Sequence, residues 1–256
     1  RTLYVRLNPV RMASDGTVRV FGIADDVTER VAAEHQRIED AVRQRDILVR
    51  EVHHRIKNNL QGVAGLLQHM ASSKPELAVY LDEIASQIQA IAQVHGLQIR
   101  ATGTLPILGV VQGIFGSLST MFGVDIQFES PPPALWRWGL PEQEAVPLAL
   151  TINELGTNAI KYRGSRDAAI TVQLASRPQG IELTLENPGQ LKEGFDLARV
   201  SSGVSGLGLI KALLPRRGAR LSIEQQGSRV VTRLELWSPA IVEDVGEFAG
   251  EAKPAG

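Results

Sequence analysis

From Val31 to Met70, apolar side chains recur at alternating intervals of three and four, through Ile38, Val42, Val49, Val52, Ile56, Val63 and Leu66. This spacing predicts a long helix with a heptad seam, into which His35, Arg45 and Asn59 place polar groups. A second stripe through Leu77, Leu81, Ile84, Ile88 and Ile91 predicts another helix over about 76–98, with "SSKP" at 72–75 as the connecting turn. Each helix carries one apolar stripe, so the hairpin is expected to dimerise into a four-helix bundle or to pack on its neighbours.

The flanking segments have other periods. Residues 3–10 and 17–24 alternate apolar and polar around "ASDG" at 13–16, the pattern of a β-hairpin. Two strands are marginal alone, so a partner sheet is expected before Arg1, in a longer protein. After a linker, "ATGTLP" at 101–106, a helix is expected over 107–122 and strands over 124–129 and 135–139. Next come a helix from Pro141 to about Tyr162, strands over 168–176 and 180–186, a helix over 206–216, and strands over 219–225 and 229–237. Strands and helices are grouped rather than strictly alternating, which predicts an α+β fold, an α/β sandwich with a mixed sheet. The polar, small-residue tail 238–256 is expected to be disordered.

Composition narrows the function. The 256 residues are 43% hydrophobic, enough for a substantial core, and the net charge of −1 offers neither a basic surface for nucleic acid nor a polybasic tract for a membrane. Cysteine is absent, which removes disulfides and thiolate metal sites and fits a reducing cytoplasm. No apolar run reaches the length of a membrane span, so no membrane contact is expected from this stretch.

One segment resists the helical reading on propensity alone: "EVHHRIKNNLQ" at 51–61 sets two asparagines side by side in a helix. With Val49 and Ile56 at a and Val52 at d, His53 falls at e and His54 at f, the outermost position. Arg50, Lys57 and Asn58 share the face of His54. An exposed neutral imidazole beside cations can attack a phosphoryl group; a solvated face with an incidental histidine is the simpler reading of the spacing.

Residue identity points further. "HHRIKNNLQ" resembles the His-Arg-x-Lys-Asn phosphoacceptor motif of sensor histidine kinases of the HWE type and of the second HisKA group. The resemblance implies that His54 accepts phosphate. "IQAIAQVHGLQ" at 88–98 resembles the second helix of that family's bundle, and its His95 reads as a packed or capping histidine. "ADDVTER", with Asp26 and Thr28, resembles the end of a PAS sensor domain running into a signalling helix.

"NELGTNAIKY" at 153–162 resembles the nucleotide helix of the GHKL ATPases, where a glutamate and an asparagine four apart share one face. The resemblance implies ATP and Mg²⁺ as cofactors, Asn158 as the Mg²⁺ ligand, Lys161 on phosphate and Glu154 as a catalytic group at the attacking atom. "SGLGL" at 205–209 resembles the family's lid box, which implies that Gly206, Leu207 and Gly208 bring backbone amides to phosphate. "TLENPGQL" at 184–191 stands where many relatives have Asp-Asn-Gly-x-Gly, and the Asp that receives the adenine amine is missing. Strand alternation puts Asn187 in its place and the HWE pattern puts Glu186 there, with Gly189 following; either oxygen can accept from an amine.

The implied organisation is the end of a PAS domain (1–27), a signalling helix (28–50), a dimerisation and phosphotransfer hairpin (51–100), an ATP-binding domain (107–237) and a tail. The implied function is ATP-dependent autophosphorylation of His54 and transfer to an aspartate of a response regulator receiver domain, by a homodimer in the cytoplasm. A catalytically degenerate scaffold acting by dimerisation and partner docking is the alternative that the altered 184–191 box keeps open.

Overall fold

The computed structural model describes residues 2–11, 18–98, 104–165, 168–204 and 206–243. Two compact units divide the chain, residues 1–51 and 52–256. In the first, β1 (Leu3–Arg11) and β2 (Val18–Asp26) pair antiparallel, Leu3 opposite Asp26 and Arg11 opposite Val18. The expected turn at 13–16 lies outside the described residues. Helix α1 (Thr28–Ser73) begins at the Asp26-x-Thr28 step. The Thr28 hydroxyl donates to Asp26 Oδ1, and the Thr28 N–H donates to the same oxygen at 3.0 Å, satisfying an amide that a helix start leaves free. These two bonds, the hydroxyl's first, hold the Asp26 carboxyl below its ordinary range. The Thr2 N–H donates to Thr28 Oγ1 at 2.8 Å, which fastens the start of β1 to the helix. Arg45, expected in the seam, lies in solvent and pairs with Asp46 at 2.7 Å.

Within the second unit, α1 turns inward a stripe one position later than the predicted seam. Ala64 and Ala71 are buried and His53, Lys57, Leu60 and Leu67 half-buried, whereas Val52, Val63, Leu66 and Met70 are exposed. Alanine lets other elements approach the helix closely, a property that a search for large apolar residues passes over.

The remaining elements follow in order. Helix α2 (Ala78–Gln98) precedes β3 (Leu105–Pro106), α3 (Ile107–Phe122) and β4 (Ile126–Phe128). A 3₁₀ turn at Pro133–Arg137 leads into β5 (Trp138–Leu140) and α4 (Glu142–Lys161). Then come β6 (Ile170–Arg177), β7 (Gly180–Pro188), α5 (Gly206–Leu213), β8 (Ala219–Gln226), β9 (Arg229–Trp237) and β10 (Val242–Glu243).

The large sheet has the order β4-β6-β7-β9-β8 and is mixed, because β4 runs parallel to β6 while the other pairs are antiparallel. Alternation decides its faces. Val172 and Leu174, Leu183 and Leu185, and Leu234 and Leu236 enter one core with α3 and α4. Glu186, Arg229, Arg233 and Glu224 belong to the other face, where Arg229 pairs with Glu186 at 3.3 Å and Arg233 with Glu224 at 3.1 Å. Helix α2 buries Ala85, Ser86, Ala90 and Val94 while packing on α3 and α4.

Three further sequence expectations need correction. Leu105 and Pro106, read as linker, form β3 against β5, because Leu105 is fully buried. Residues 135–137, read as strand, close a 3₁₀ turn begun by the proline run, and the strand starts only at Trp138. The tail is ordered through Glu243: Ala240 and Ile241 are buried and β10 pairs with β5. From residue 244 onward it lies outside the described residues. Among the described residues, no helix is long and apolar enough to cross a membrane.

Candidate functional site

Helix α4 packs against α2, α3 and α5, yet its buried face carries Asn153 and Glu154. Glu154, Asn158 and Lys161 follow one another at helical spacing, buried, half-buried and exposed in turn, so that one polar line runs from the core to the surface. They enter a cavity of about 930 Å³, within the size range of small-molecule sites, about 300–1,000 Å³. Asn187 of β7 and Gly206, Leu207 and Gly208 of α5 line the same cavity. Ile160, Phe195, Ile223 and Val230 give it apolar walls.

Asn158 carries an unused polar group: its Nδ2 is buried and has no hydrogen-bond partner. A buried orphan of this kind is costly, and a ligand in the cleft would relieve it. Among the described residues, no group of three or more His, Cys, Asp or Glu could hold a metal by itself. The Asn158 carboxamide offers its orphaned N–H to an acceptor such as a phosphate oxygen, and its oxygen fits a hard cation that arrives with phosphate and water, as Mg²⁺ does.

Glu154 is 1% exposed, and its two oxygens serve different elements. Oε1 accepts from Gln87 Nε2 of α2 at 2.8 Å, and Oε2 accepts from the backbone N–H of Gly206 at 2.8 Å. Burial raises the carboxyl pKa, an effect opposed by these two bonds, reinforced by Glu83 and opposed by Lys161.

Asn187 sits on the core face of β7, 4% exposed, and its Nδ2 donates to the Pro188 carbonyl at 3.3 Å. That bond leaves Oδ1 to accept. Of the two registers considered for the base acceptor, Asn187 alone reaches the cavity; Glu186 points from the opposite face and is held by Arg229. Gly189 does not line the cavity either. A Cβ there would lie 2.5 Å from the Tyr162 carbonyl oxygen, so the glycine permits the end of α4 and the exit of β7 to touch.

The segment that follows β7 contributes Leu191, Lys192, Phe195 and Val200 to the cavity lining. Lys211 ties the segment to α5 by donating to the carbonyls of Ala198 at 2.9 Å and Val200 at 2.6 Å. Gly208 packs under it, and a Cβ there would meet Gly203 N at 2.8 Å. Gln87, Lys211 and the Ser86–Asn153 bond (3.1 Å) escaped the sequence reading, because polar residues on amphipathic helices look like solvent-facing ones.

His54 is exposed on α1 and is not part of the cavity lining. The Asn58 side-chain amide lies 3.4 Å from its Nδ1. His53, by contrast, is half-buried with its Nδ1 3.1 Å from that of His95. What the hairpin contributes to the cavity wall comes from α2, through Val79, Asp82 and Glu83.

Proteins similar to this chain in sequence and fold are histidine kinases. Residues 51–120 match the HisKA_2 family, described as histidine kinase. The sensor histidine kinase PdtaS of Mycobacterium tuberculosis is 28% identical over 226 residues, which cover 81% of this chain and 43% of that protein. A blue-light-activated histidine kinase of Brucella anthropi is 26% identical over 158 residues, covering 61% and 29%. The chain thus spans less than half the length of these relatives. The histidine kinase domain of the Erythrobacter litoralis EL346 blue-light-activated kinase has the same fold, with a TM-score of 0.53 at 16% identity over 70% of this chain and 95% of that one.

Proposed function

We propose, from the match of residues 51–120 to the HisKA_2 histidine kinase family, that this chain is the transmitter part of a two-component sensor kinase. It would bind Mg²⁺-ATP in the α4–α5 cavity, phosphorylate His54 and pass the phosphoryl group to an aspartate of a response regulator receiver domain. The observation that carries the reading is the convergence of Glu154, Asn158, Lys161, Asn187, Gly206 and Gly208, drawn from three elements, on one cavity that leaves Asn158 Nδ2 unsatisfied.

Each residue has a task in that reaction. Asn187 Oδ1 accepts from the exocyclic amine of adenine while the apolar walls take the ring. Lys161 and the amides at the start of α5 hold phosphate oxygens. Asn158 would ligate Mg²⁺, which supplies charge neutralisation between the phosphates when bound. Asn58 Nδ2 faces His54 Nδ1 at 3.4 Å; a half-turn of the amide would bring its oxygen to accept from Nδ1–H and keep the Nε2 lone pair for attack on the γ-phosphorus. A P–N bond forms, the bond to the bridging oxygen breaks, and ADP leaves. Positioning and neutralisation supply most of the rate. Since His54 lies outside the cavity lining, transfer requires the hairpin to move relative to the cavity or the His54 of a second copy to enter it. The exposed stripe Val52, Val63, Leu66 and Met70 supports a homodimer.

Incubation with γ-labelled Mg²⁺-ATP tests the proposal. Acid-labile, base-stable label that disappears in His54→Ala supports it, and label that persists in that variant overturns it. The altered 184–191 box favours a second reading, a scaffold that binds nucleotide poorly. Titration calorimetry with Mg²⁺-ATP separates the two.

A further inference from the structure

We propose that Gln87 is a positioning residue for Glu154, and that through the two oxygens of this one carboxylate the second hairpin helix sets the hold on the first amide of α5, at the edge of the cavity. The inference rests on the nucleotide reading above for its consequence, though not for its test. Its basis is a relay of two hydrogen bonds, Gln87 Nε2 to Glu154 Oε1 and Gly206 N to Glu154 Oε2, both 2.8 Å long. The first crosses from α2 to α4, and the second crosses from α5 to α4. Beside them, Asn153 Nδ2 donates to Ser86 Oγ at 3.1 Å, which joins α2 to α4 by a bond that does not involve Glu154.

Burial disfavours the charged form of this carboxyl, and the two donors favour it. Gly206 has φ +58 and opens α5, so its N–H is one of the free amides that an incoming phosphate would need. Glu154 Oε2 occupies that amide now. A movement of α2 that withdraws Gln87 weakens the carboxylate's hold on Gly206, and a phosphate that captures Gly206 N–H displaces Oε2 and loads the Gln87 contact. Hairpin position and phosphate occupancy are thus linked, and the linkage runs equally in both directions. The other charged groups lining this cavity are Asp82 and Glu83 from α2, Lys161 from α4, and Lys192 from the segment after β7.

The test is the pH titration of the Gly206 amide resonance in the isotope-labelled full chain, since an amide bonded to a carboxylate follows its ionisation. In the parent the resonance is expected to titrate with Glu154. In Gln87→Met, which keeps the side chain's length without its donor, the midpoint is expected to rise by about half a pH unit or more. Gln87→Leu provides a second variant with the same expectation. Ser86→Ala removes the neighbouring bond between the same helices and is expected to leave the midpoint unchanged. An unmoved midpoint in the Gln87 variants, or an equal rise in Ser86→Ala, overturns the coupling. Adding Mg²⁺-ATP to the parent is a separate arm: no perturbation of Gly206 sinks the nucleotide reading, while the pH titration decides the relay without nucleotide.

Discussion

The Nδ1 atoms of His53 and His95 lie 3.1 Å apart, so the first of two adjacent histidines is held against α2 while the second, His54, faces water. At that distance one ring must donate and the other accept, and the pair holds together only while at least one ring is neutral. Burial lowers the basicity of His95, the charge on His53 lowers it further, and Gln98 partly offsets both. A base whose folded pKa is depressed contributes stability in full above its unfolded value, and that stability is lost as pH falls through the folded value. Acidification from about pH 7 to pH 5 should therefore lower the melting temperature of the parent more than that of His95→Gln, measured by circular dichroism. Parallel pH dependences in the two proteins would exclude the pair as a source of acid sensitivity.

The same division between the histidines gives the proposed phosphorylation a pattern to test. His54→Ala should abolish acid-labile phosphate incorporation, whereas His53→Ala, which removes a packing contact, should retain part of it. Asn58→Leu leaves Nδ1 of His54 without its neighbour and should slow incorporation by about tenfold, the effect of one hydrogen bond. An Asn58→Leu rate equal to that of the parent would remove Asn58 from the mechanism.

Asn158→Ala deletes both the orphaned amide and the proposed metal ligand. ATP affinity in the presence of Mg²⁺ should fall by about tenfold or more, while the melting temperature stays level or rises. Calorimetry with and without Mg²⁺ reads the result directly, and undiminished Mg²⁺-dependent binding would contradict the assignment.

Base selection should reside in Asn187 and not in its neighbour. Asn187→Leu should cut the preference for ATP over GTP by about tenfold, as expected when one buried acceptor is lost. Glu186→Gln should leave the preference unchanged, because Glu186 projects from the other face of β7 towards Arg229. A competition assay with both nucleotides distinguishes the two positions.

Ile241 is fully buried although it follows the expected end of the domain. Ile241→Ala should cost about 2–5 kcal/mol, the range for truncating a large core side chain, and lower the urea midpoint accordingly. A change within error would mean that β10 does not hold the core.

Elements with strong periodicity were legible from residues alone. Helix α3 spans Ile107–Phe122 as its apolar spacing predicts, and Glu154 and Asn158 share a cavity because four residues return a helix to the same face. Legibility failed where the physical signal is weak. Two-residue strands such as Leu105–Pro106 and Val242–Glu243 are too short to show a period. The inward stripe of α1 rests on Ala64 and Ala71, whose small size rather than hydrophobicity makes them useful. Gln87 gave no signal, since its importance comes from Glu154, 67 residues away in the chain.

The small sheet has one more implication. Strand β5 has β3 on one side and β10 on the other, so the chain enters the region that holds the cavity and reaches its last described strand within one three-stranded patch, the two flanking strands roughly 10 Å apart by ordinary strand spacing. Doorways that stand side by side share a hinge post: any shift of the incoming chain at β3 reaches the outgoing chain at β10 through the three residues of β5 to which both are bonded.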